Sequence, residues 1–313
     1  MPQPRVSVVI PAYNVAPYIG EAIDSVLAQT FRDFEIIVVN DGSPDTDALD
    51  AVLARYGAHL RCVRKTNGGL ASARNAGIAA ARSDLIAFLD GDDLWEPEYL
   101  SSQLALLDHD RSAAAVFPDA VYFGETSLAG KRVSEIAPYE RGRVTIEGVL
   151  NGRSNLCYSC LARCEAINAA GGYDASLRRI EDWDLYVRML LAGQTILVNP
   201  QPLLRYRRRD ASLSADSLLM RRAALDVLAK IEKLIPPESP LLPLAHNLRR
   251  DWRAGIEREL GRKALAEGRW EQARIHWKEH QKIRPDQRIA LSLLLGNVSP
   301  TLLAAIMRRT GRL

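Results

Sequence analysis

The chain has 313 residues, 47% hydrophobic and 25% charged, the balance of an ordinary globular protein with room for one large domain and a smaller one. A formal net charge of +3 is too small for the whole chain to be a nucleic-acid binder. No apolar run approaches the roughly 20 residues that cross a bilayer, and no signal-peptide pattern precedes Val6, so the expected compartment is the cytoplasm.

Val6 to Ile10 is a β-branched run that predicts a buried first strand, closed by Pro11-Ala12-Tyr13-Asn14. Pro17 starts a helix with Ile19, Ile23, Val26 and Leu27 on its apolar side. Phe34 to Val39 is a second strand, ending in Asn40-Asp41-Gly42-Ser43, and Asp45 or Asp47 starts the next helix. Leu60 to Arg64 is a third strand. Asn67-Gly68-Gly69 is a loop before an alanine-rich helix from Leu70 to Ala81. The fourth strand, Leu85 to Leu89, ends abruptly in Asp90, Gly91, Asp92 and Asp93. This alternation predicts an α/β fold: a right-handed, mostly parallel sheet with helices on both faces.

Open sheets of this kind place ligands beyond the carboxyl ends of their strands. Tyr13, Asn14, Asp41, Asn67, Asp90 and Asp92 would converge there on one cleft. Asp90 and Asp92, with a Gly turn between them, are hard oxygen donors that suit Mg2+ or Mn2+ shared with substrate phosphates. Their plainer reading is a turn with helix capping, and Asp93, ahead of Glu96-Pro97, takes the capping role. Asp41 is placed to hold a ribose or a base. Arg74 reaches either a phosphate or the Asp cluster, or else forms a structural ion pair. Neither the dinucleotide fingerprint G-x-G-x-x-G nor a P-loop is present.

After Trp95 the alternation stops. Glu98 to Leu107 reads as a helix, Ala113 to Phe117 and Val121 to Phe123 as strands, and Gly124 to Arg143 as a polar loop. Thr145 to Leu150 reads as a short helix, Leu156 to Ala162 as a strand, and Arg163 to Ala170 as another short helix. Cys157, Cys160 and Cys164 are spaced C-x-x-C-x-x-x-C, but no second C-x-x-C completes a zinc site. With Cys62 they read as small buried hydrophobes in a reducing compartment. Ile180-Glu181-Asp182-Trp183-Asp184 opens a helix to Ala192. Acidic residues suit a helix N-terminus, yet three in four positions exceed what capping needs. Thr195 to Val198 is the last strand, and Leu203 to Ser214 a basic segment.

From residue 215 the chain turns helical. Leu241 to Leu313 holds 15 Lys and Arg against 7 Asp and Glu. Ala264 to Arg274 predicts one helix–turn–helix hairpin. The plain expectation is a bundle burying Leu244, Leu248, Ile256 and Leu260. Its alternatives are peripheral contact with an anionic membrane and a homo-oligomer through the same helices.

VSVVIPAYN at Val6–Asn14, IIVVNDGSPD at Ile36–Asp45, NGGLASARNAGIAAARSDLIAFLDGDDLW at Asn67–Trp95 and GGYDASLRRIEDWDLYVRML at Gly171–Leu190 together resemble the family 2 glycosyltransferases of the GT-A fold. The resemblance implies a catalytic domain over residues 1–214, with a nucleotide-sugar half to about residue 95, an acceptor half after it, and a helical region over 215–313. It implies an inverting transferase that moves a sugar from a nucleotide-diphospho-sugar, UDP-linked in the commoner cases, to a hydroxyl of a glycan or lipid-linked glycan. Mn2+ or Mg2+ would assist. By position in the motifs, Pro11, Ala12, Tyr13 and Asp41 meet the nucleoside. Asn14, Asn67, Gly69, Arg74, Gly91, Arg207 and Arg209 complete the donor site. Asp92 ligates the metal, with Asp90 nearer the ribose. Asp182 is the catalytic base, supported by Glu181, and Trp183 lines the acceptor pocket. Arg209 stands where relatives often carry a His near the diphosphate. The competing reading is a non-catalytic nucleotide-sugar-binding scaffold that works through the helical tail.

Overall fold

The computed structural model of the protein describes residues 3–137, 139–154, 159–209, 212 and 216–309. The chain divides into two compact units, Met1–Ala215 and Asp216–Leu313. The first runs β1 (Val6–Ala12), α1 (Ala16–Leu27), β2 (Phe34–Asp41), α2 (Thr46–Leu53), β3 (Arg61–Lys65), α3 (Leu70–Ala80), β4 (Leu85–Phe88), β5 (Leu94–Trp95), α4 (Tyr99–His109), β6 (Ala113–Gly124), α5 (Val133–Ile136), β7 (Gly142–Arg143), α6 (Ile146–Leu150), β8 (Leu161–Arg163), α7 (Cys164–Ala169), α8 (Glu181–Leu191) and β9 (Thr195–Arg208). The sheet order is β3-β2-β1-β4-β8-β6-β9-β5, with β7 paired to β9.

β1 lies between β2 and β4 and pairs parallel with both, and β3 joins parallel on β2. β1 and β4 are buried along their whole length, which is why each is an unbroken apolar run in sequence. Val6, Val8 and Ile10 share a core with Ile19 and Ile23 of α1 and Leu100 and Leu104 of α4. Val9 turns to the opposite face. There α3 comes so close that a Cβ on Gly77 would lie 2.2 Å from Val9 Cγ1. Period-two alternation in one strand thus puts helices on both faces of the sheet.

The second half of the sheet is mixed rather than a continuation of the parallel run. β8 is antiparallel to both β4 and β6, while β6 and β9 pair parallel over their length. β6 is one strand where the sequence reads as two. Pro118-Asp119 looks like a break, but it sits at a register shift inside the ladder. Asp119 accepts from Ala120 N (2.8 Å) and Ser134 Oγ (2.8 Å), which holds the irregularity in place. β9 likewise continues through Pro200 and Pro202 to Arg208, so the basic segment begins as strand. The expected loop from Gly124 to Arg143 contains α5 and β7. The expected strand from Leu156 is observed only as Leu161–Arg163; residues 155–158, with Cys157, lie outside the described residues.

The second unit contains α9 (Ser217–Glu232), α10 (Leu241–Ala266), α11 (Trp270–Ile283), α12 (Gln287–Val298) and α13 (Pro300–Arg309). Asp216 caps α9 through Leu218 N and Leu219 N. α10 and α11 form the hairpin, turning at Gly268 with φ +75°. Ala264, Leu265, Ala273, Trp277, Ile289, Leu303 and Ala304 make an apolar core. Leu248 and Ile256 are buried, and Leu244 and Leu260 half-buried. Among the described residues no helix is long and apolar enough to cross a membrane.

Candidate active site

The carboxyl ends of β1, β2 and β4 bring the predicted donor residues to one side of the sheet. Pro11 and Ala12 are buried at the end of β1, and Tyr13 beyond them is 49% exposed, leaving its ring open for stacking. Asn14 adopts φ +55° and donates its N–H to Ser43 Oγ at 2.6 Å. Gly91 lies so close beneath Pro11 that a Cβ would approach its carbonyl at 3.0 Å. Asp41 is buried and fully engaged. Its Oδ1 accepts from Lys65 Nζ (2.5 Å) and Gly68 N (3.0 Å), and its Oδ2 from Gly69 N (2.8 Å). It therefore organises the loop that starts α3, with Gly69 at φ +85°. Asn67 is exposed beside that loop.

Arg74, on α3, is the centre of the arrangement. Its Nη1 donates to Glu181 Oε1 at 2.6 Å and its Nη2 to Asp90 Oδ1 at 2.9 Å. Its guanidinium lies 5.4 Å over the Tyr173 ring, and Nε is buried without a partner among the described residues. Burial opposes its charge, but Asp90, Tyr173, Glu181 and Asp182 together hold its pKa well above the usual value. Next to it, Asn75 clamps the backbone of Tyr173, donating to its carbonyl (2.7 Å) and accepting from its N–H (3.0 Å). Two adjacent side chains of one helix thus fasten the end of β4 and the Gly171–Tyr173 turn around α8.

The three strand-end aspartates take three environments. Asp90 faces Arg74. Asp92 Oδ2 accepts from Arg209 Nε at 2.7 Å. Asp93 does not cap a helix: β5 intervenes before α4, and its carboxylate is buried, accepting from Arg207 N at 2.8 Å. Burial and then the charge of Asp90 raise the Asp92 pKa; burial, Asp92 and Asp90 raise that of Asp93 well above the usual range. Burial and mutual repulsion thus both disfavour ionisation of these carboxylates, a condition that a divalent cation answers. Asp90 Oδ2 and Asp92 Oδ1 have no protein hydrogen bond among the described residues. No three His, Cys, Asp or Glu side chains converge as metal ligands among those residues. A cation would therefore take these two carboxylates and complete its shell with substrate oxygens or water, as Mg2+ commonly does. The residues present fit that group.

β9 supplies the cationic wall. Arg207 Nε donates to Asp92 O (2.7 Å) and its Nη2 to Glu21 Oε2 (2.8 Å). Arg209, just beyond β9, keeps Nη2 without a protein partner among the described residues. The Tyr18 ring lies 5.0 Å and 5.1 Å from the two guanidinium carbons.

α8 opens under strain, because the β-branched Ile180 at its N-cap position has φ +62°. The three acids that follow divide their roles. Glu181 is buried on Arg74. Asp184 is buried on Arg188, accepting from Nε at 2.9 Å and Nη2 at 2.7 Å. Asp182 is half-buried, and its Oδ1 accepts from Trp183 N at 2.7 Å. Burial first, then the neighbouring Glu181 charge, pushes its pKa up to about 7. Trp183 beside it is buried. Lys65, Tyr18 and Glu21 escaped the sequence reading. Lys65 ends a strand and was open to the same logic as Asp41, whereas Tyr18 and Glu21 are ordinary residues of a helix surface in sequence.

A family model described as glycosyl transferase family 2 matches residues 7–166. An uncharacterized glycosyltransferase of Rickettsia felis is 33% identical over 190 residues, covering 60% of this chain and 31% of that protein. The chain therefore spans about a third of that relative's length. S. aureus TarS 1–349, solved in complex with UDP-GlcNAc, superposes with a TM-score of 0.64 at 16% identity, covering 98% of this chain and 92% of that one. Mannosyltransferase PcManGT from Pyrobaculum calidifontis, solved with GDP-Man and Mn2+, gives a TM-score of 0.64 at 17% identity, covering 98% and 87%. At such identities the likeness is one of fold.

Proposed function

Because this chain belongs to glycosyl transferase family 2, we propose that it moves a sugar from a nucleotide-diphospho-sugar to a hydroxyl of a glycan or lipid-linked glycan, with inversion. The observation that carries the reading is Arg74, which holds the Asp90 strand end and the Glu181-Asp182 helix start on one buried guanidinium. A donor-binding edge and a candidate base thereby face one space.

In this reading residues 1–214 are the catalytic domain. Tyr13 stacks on the base, and the loop built on Asp41 borders the nucleoside. Asp92 and Asp90 would hold Mn2+ or Mg2+, which when bound offsets the charge of the departing diphosphate. Arg209 and Arg207 add fixed positive charge on that side. Asp182, with a pKa of about 7, accepts the proton of the acceptor hydroxyl. Titration by thermal shift across UDP- and GDP-sugars, with and without Mn2+, tests the donor class. One family of donors is expected to raise Tm only when metal is present; a flat response to every nucleotide sugar contradicts the reading.

The location proposed is the cytoplasm, peripheral on an anionic membrane. The free Cys62, Cys160 and Cys164 suit a reducing compartment. On α12, Leu291, Leu294, Leu295 and Val298 are exposed at the spacing of one helix face, and Leu302 and Ile306 are exposed on α13, which ends in Arg308 and Arg309. The full chain is expected to pellet with anionic vesicles and to be released by high salt; protein that stays in the supernatant at low salt rules the contact out.

A further inference from the structure

The helical unit contains a cavity of about 280 Å³, close to the lower end of the roughly 300–1,000 Å³ typical of ligand pockets. Arg221 of α9, Asp251 and Arg258 of α10, His280 of α11, and Arg284 and Asp286 of the following turn supply its charge. Three guanidinium groups thus face two carboxylates. Arg284 is ion-paired with Asp251. Asp286 caps α12, accepting from Arg288 N (2.7 Å) and Ile289 N (3.2 Å). Against burial, those N–H groups, His280 and Arg258 hold the Asp286 carboxyl below its usual range.

Arg221 is compensated less. Among the described residues it has no hydrogen bond and no carboxylate at ion-pair distance, and it is half-buried. Burial and then the nearby Arg258 push its pKa down, against a weaker opposing effect of Glu259. Its guanidinium rests on bare backbone: a Cβ on Gly255 would meet Arg221 Nη1 at 3.0 Å. His280 is 3% exposed at the same wall. Its Nδ1 lies 2.7 Å from Ala254 O, a carbonyl that only accepts, so Nδ1 carries the proton. Among the described residues Nε2 is buried without a partner; with the proton on Nδ1 it is an acceptor, able to take the O–H of a protonated phosphate. A half-buried cation repelled by a second cation calls for an anion, a guanidinium fork suits phosphate oxygens, and the imidazole nitrogen on the same wall can accept a phosphate O–H.

We propose that this cavity binds a phosphate-class oxyanion, as free phosphate or diphosphate or as the phosphomonoester head of a lipid, with Arg221 as its main ligand and Arg258 and His280 beside it. Every charged group named belongs to the helical unit, so the site does not depend on the Asp92 cleft. The test is thermal shift and calorimetry on the full chain with inorganic phosphate and diphosphate, against chloride at equal ionic strength. Wild type and Asp92→Asn are both expected to respond, while Arg221→Gln lowers the affinity about tenfold or more. Without phosphate, Arg221→Gln is expected to melt at or above wild type, because it removes an unpaired buried charge; a structural arginine would give the opposite. Arg258→Gln is the second variant and should weaken binding less. Flotation with phosphatidic acid against phosphatidylglycerol vesicles separates the sources: capture by phosphatidic acid in excess of that by phosphatidylglycerol, with the excess lost in Arg221→Gln, assigns a lipid head, and calorimetric binding without such an excess assigns the free anion. The proposal is overturned if phosphate acts no differently from chloride, or if wild type and Arg221→Gln bind it alike.

Discussion

Asp182→Asn is expected to lower kcat by about 10²–10⁴-fold while leaving donor affinity near that of wild type. The side chain belongs to the first turn of α8, where its hydrogen bond is to Trp183 N rather than to the strand-end aspartates, and Asn keeps its size while removing its basicity. Because the folded pKa is about 7, the wild-type rate should fall as pH drops below 7, through loss of the ionised base, and the residual rate of Asp182→Asn should not follow that profile. Stability carries the opposite sign. The folded value lies above the unfolded value of about 3.9, so the stability linked to protonated Asp182 is fully present below the unfolded pKa and is lost as pH rises through about 7. The Asn variant should therefore gain in Tm over wild type between about pH 4 and 7 and keep that advantage above it. Glu181→Gln should damage the chemistry less, because Glu181 anchors Arg74 rather than facing the acceptor. Equal turnover by Asp182→Asn and wild type would remove Asp182 from the mechanism.

Asp92→Asn is expected to abolish transfer and to weaken metal-dependent donor binding by more than the roughly 10–100-fold that loss of a group behind a metal ligand costs. Its carboxylate pairs with Arg209 through Oδ2 and lies within the field of Asp90. The variant removes the charge that both Arg209 and a cation would answer, so Arg209→Ala is the companion. If the loss came only through the arginine, both variants would match, and added Mn2+ would make no difference to donor affinity in either. Calorimetry with and without Mn2+ decides. Donor and Mn2+ bound by Asp92→Asn as tightly as by wild type would break the assignment.

Much of this arrangement was open to reading before any coordinates. β1, β2 and β4 are buried strands, so their apolar runs are unbroken and their ends unmistakable, and the polar residues at those ends can be placed by sheet logic alone. The second half resisted because its strands carry proline at a register shift or within the strand, as at Pro118, Pro200 and Pro202, where local chemistry argues for a break and long-range pairing overrides it. The acids of α8 show the same limit more sharply. Glu181, Asp182 and Asp184 are equivalent in a sequence; only the positions of Arg74 and Arg188, brought in from α3 and from one turn further along α8, give Glu181 and Asp184 an ion pair and leave Asp182 without one to either arginine. Asp93 was misread for a related reason: its partner, the backbone N–H of Arg207, lies 114 residues away.

The central claim is that the edge bridged by Arg74 performs sugar transfer. Its most direct measurement is release of nucleoside diphosphate by the purified chain supplied with nucleotide sugar and Mn2+, compared among wild type, Asp92→Asn and Asp182→Asn. The account predicts release by wild type for at least one donor, and a rate lower by about 10²-fold or more in both variants. A wild-type chain that binds a nucleotide sugar yet releases no diphosphate would contradict it and leave a nucleotide-sugar-binding scaffold in its place; two variants as active as wild type would contradict it by removing this edge from the chemistry.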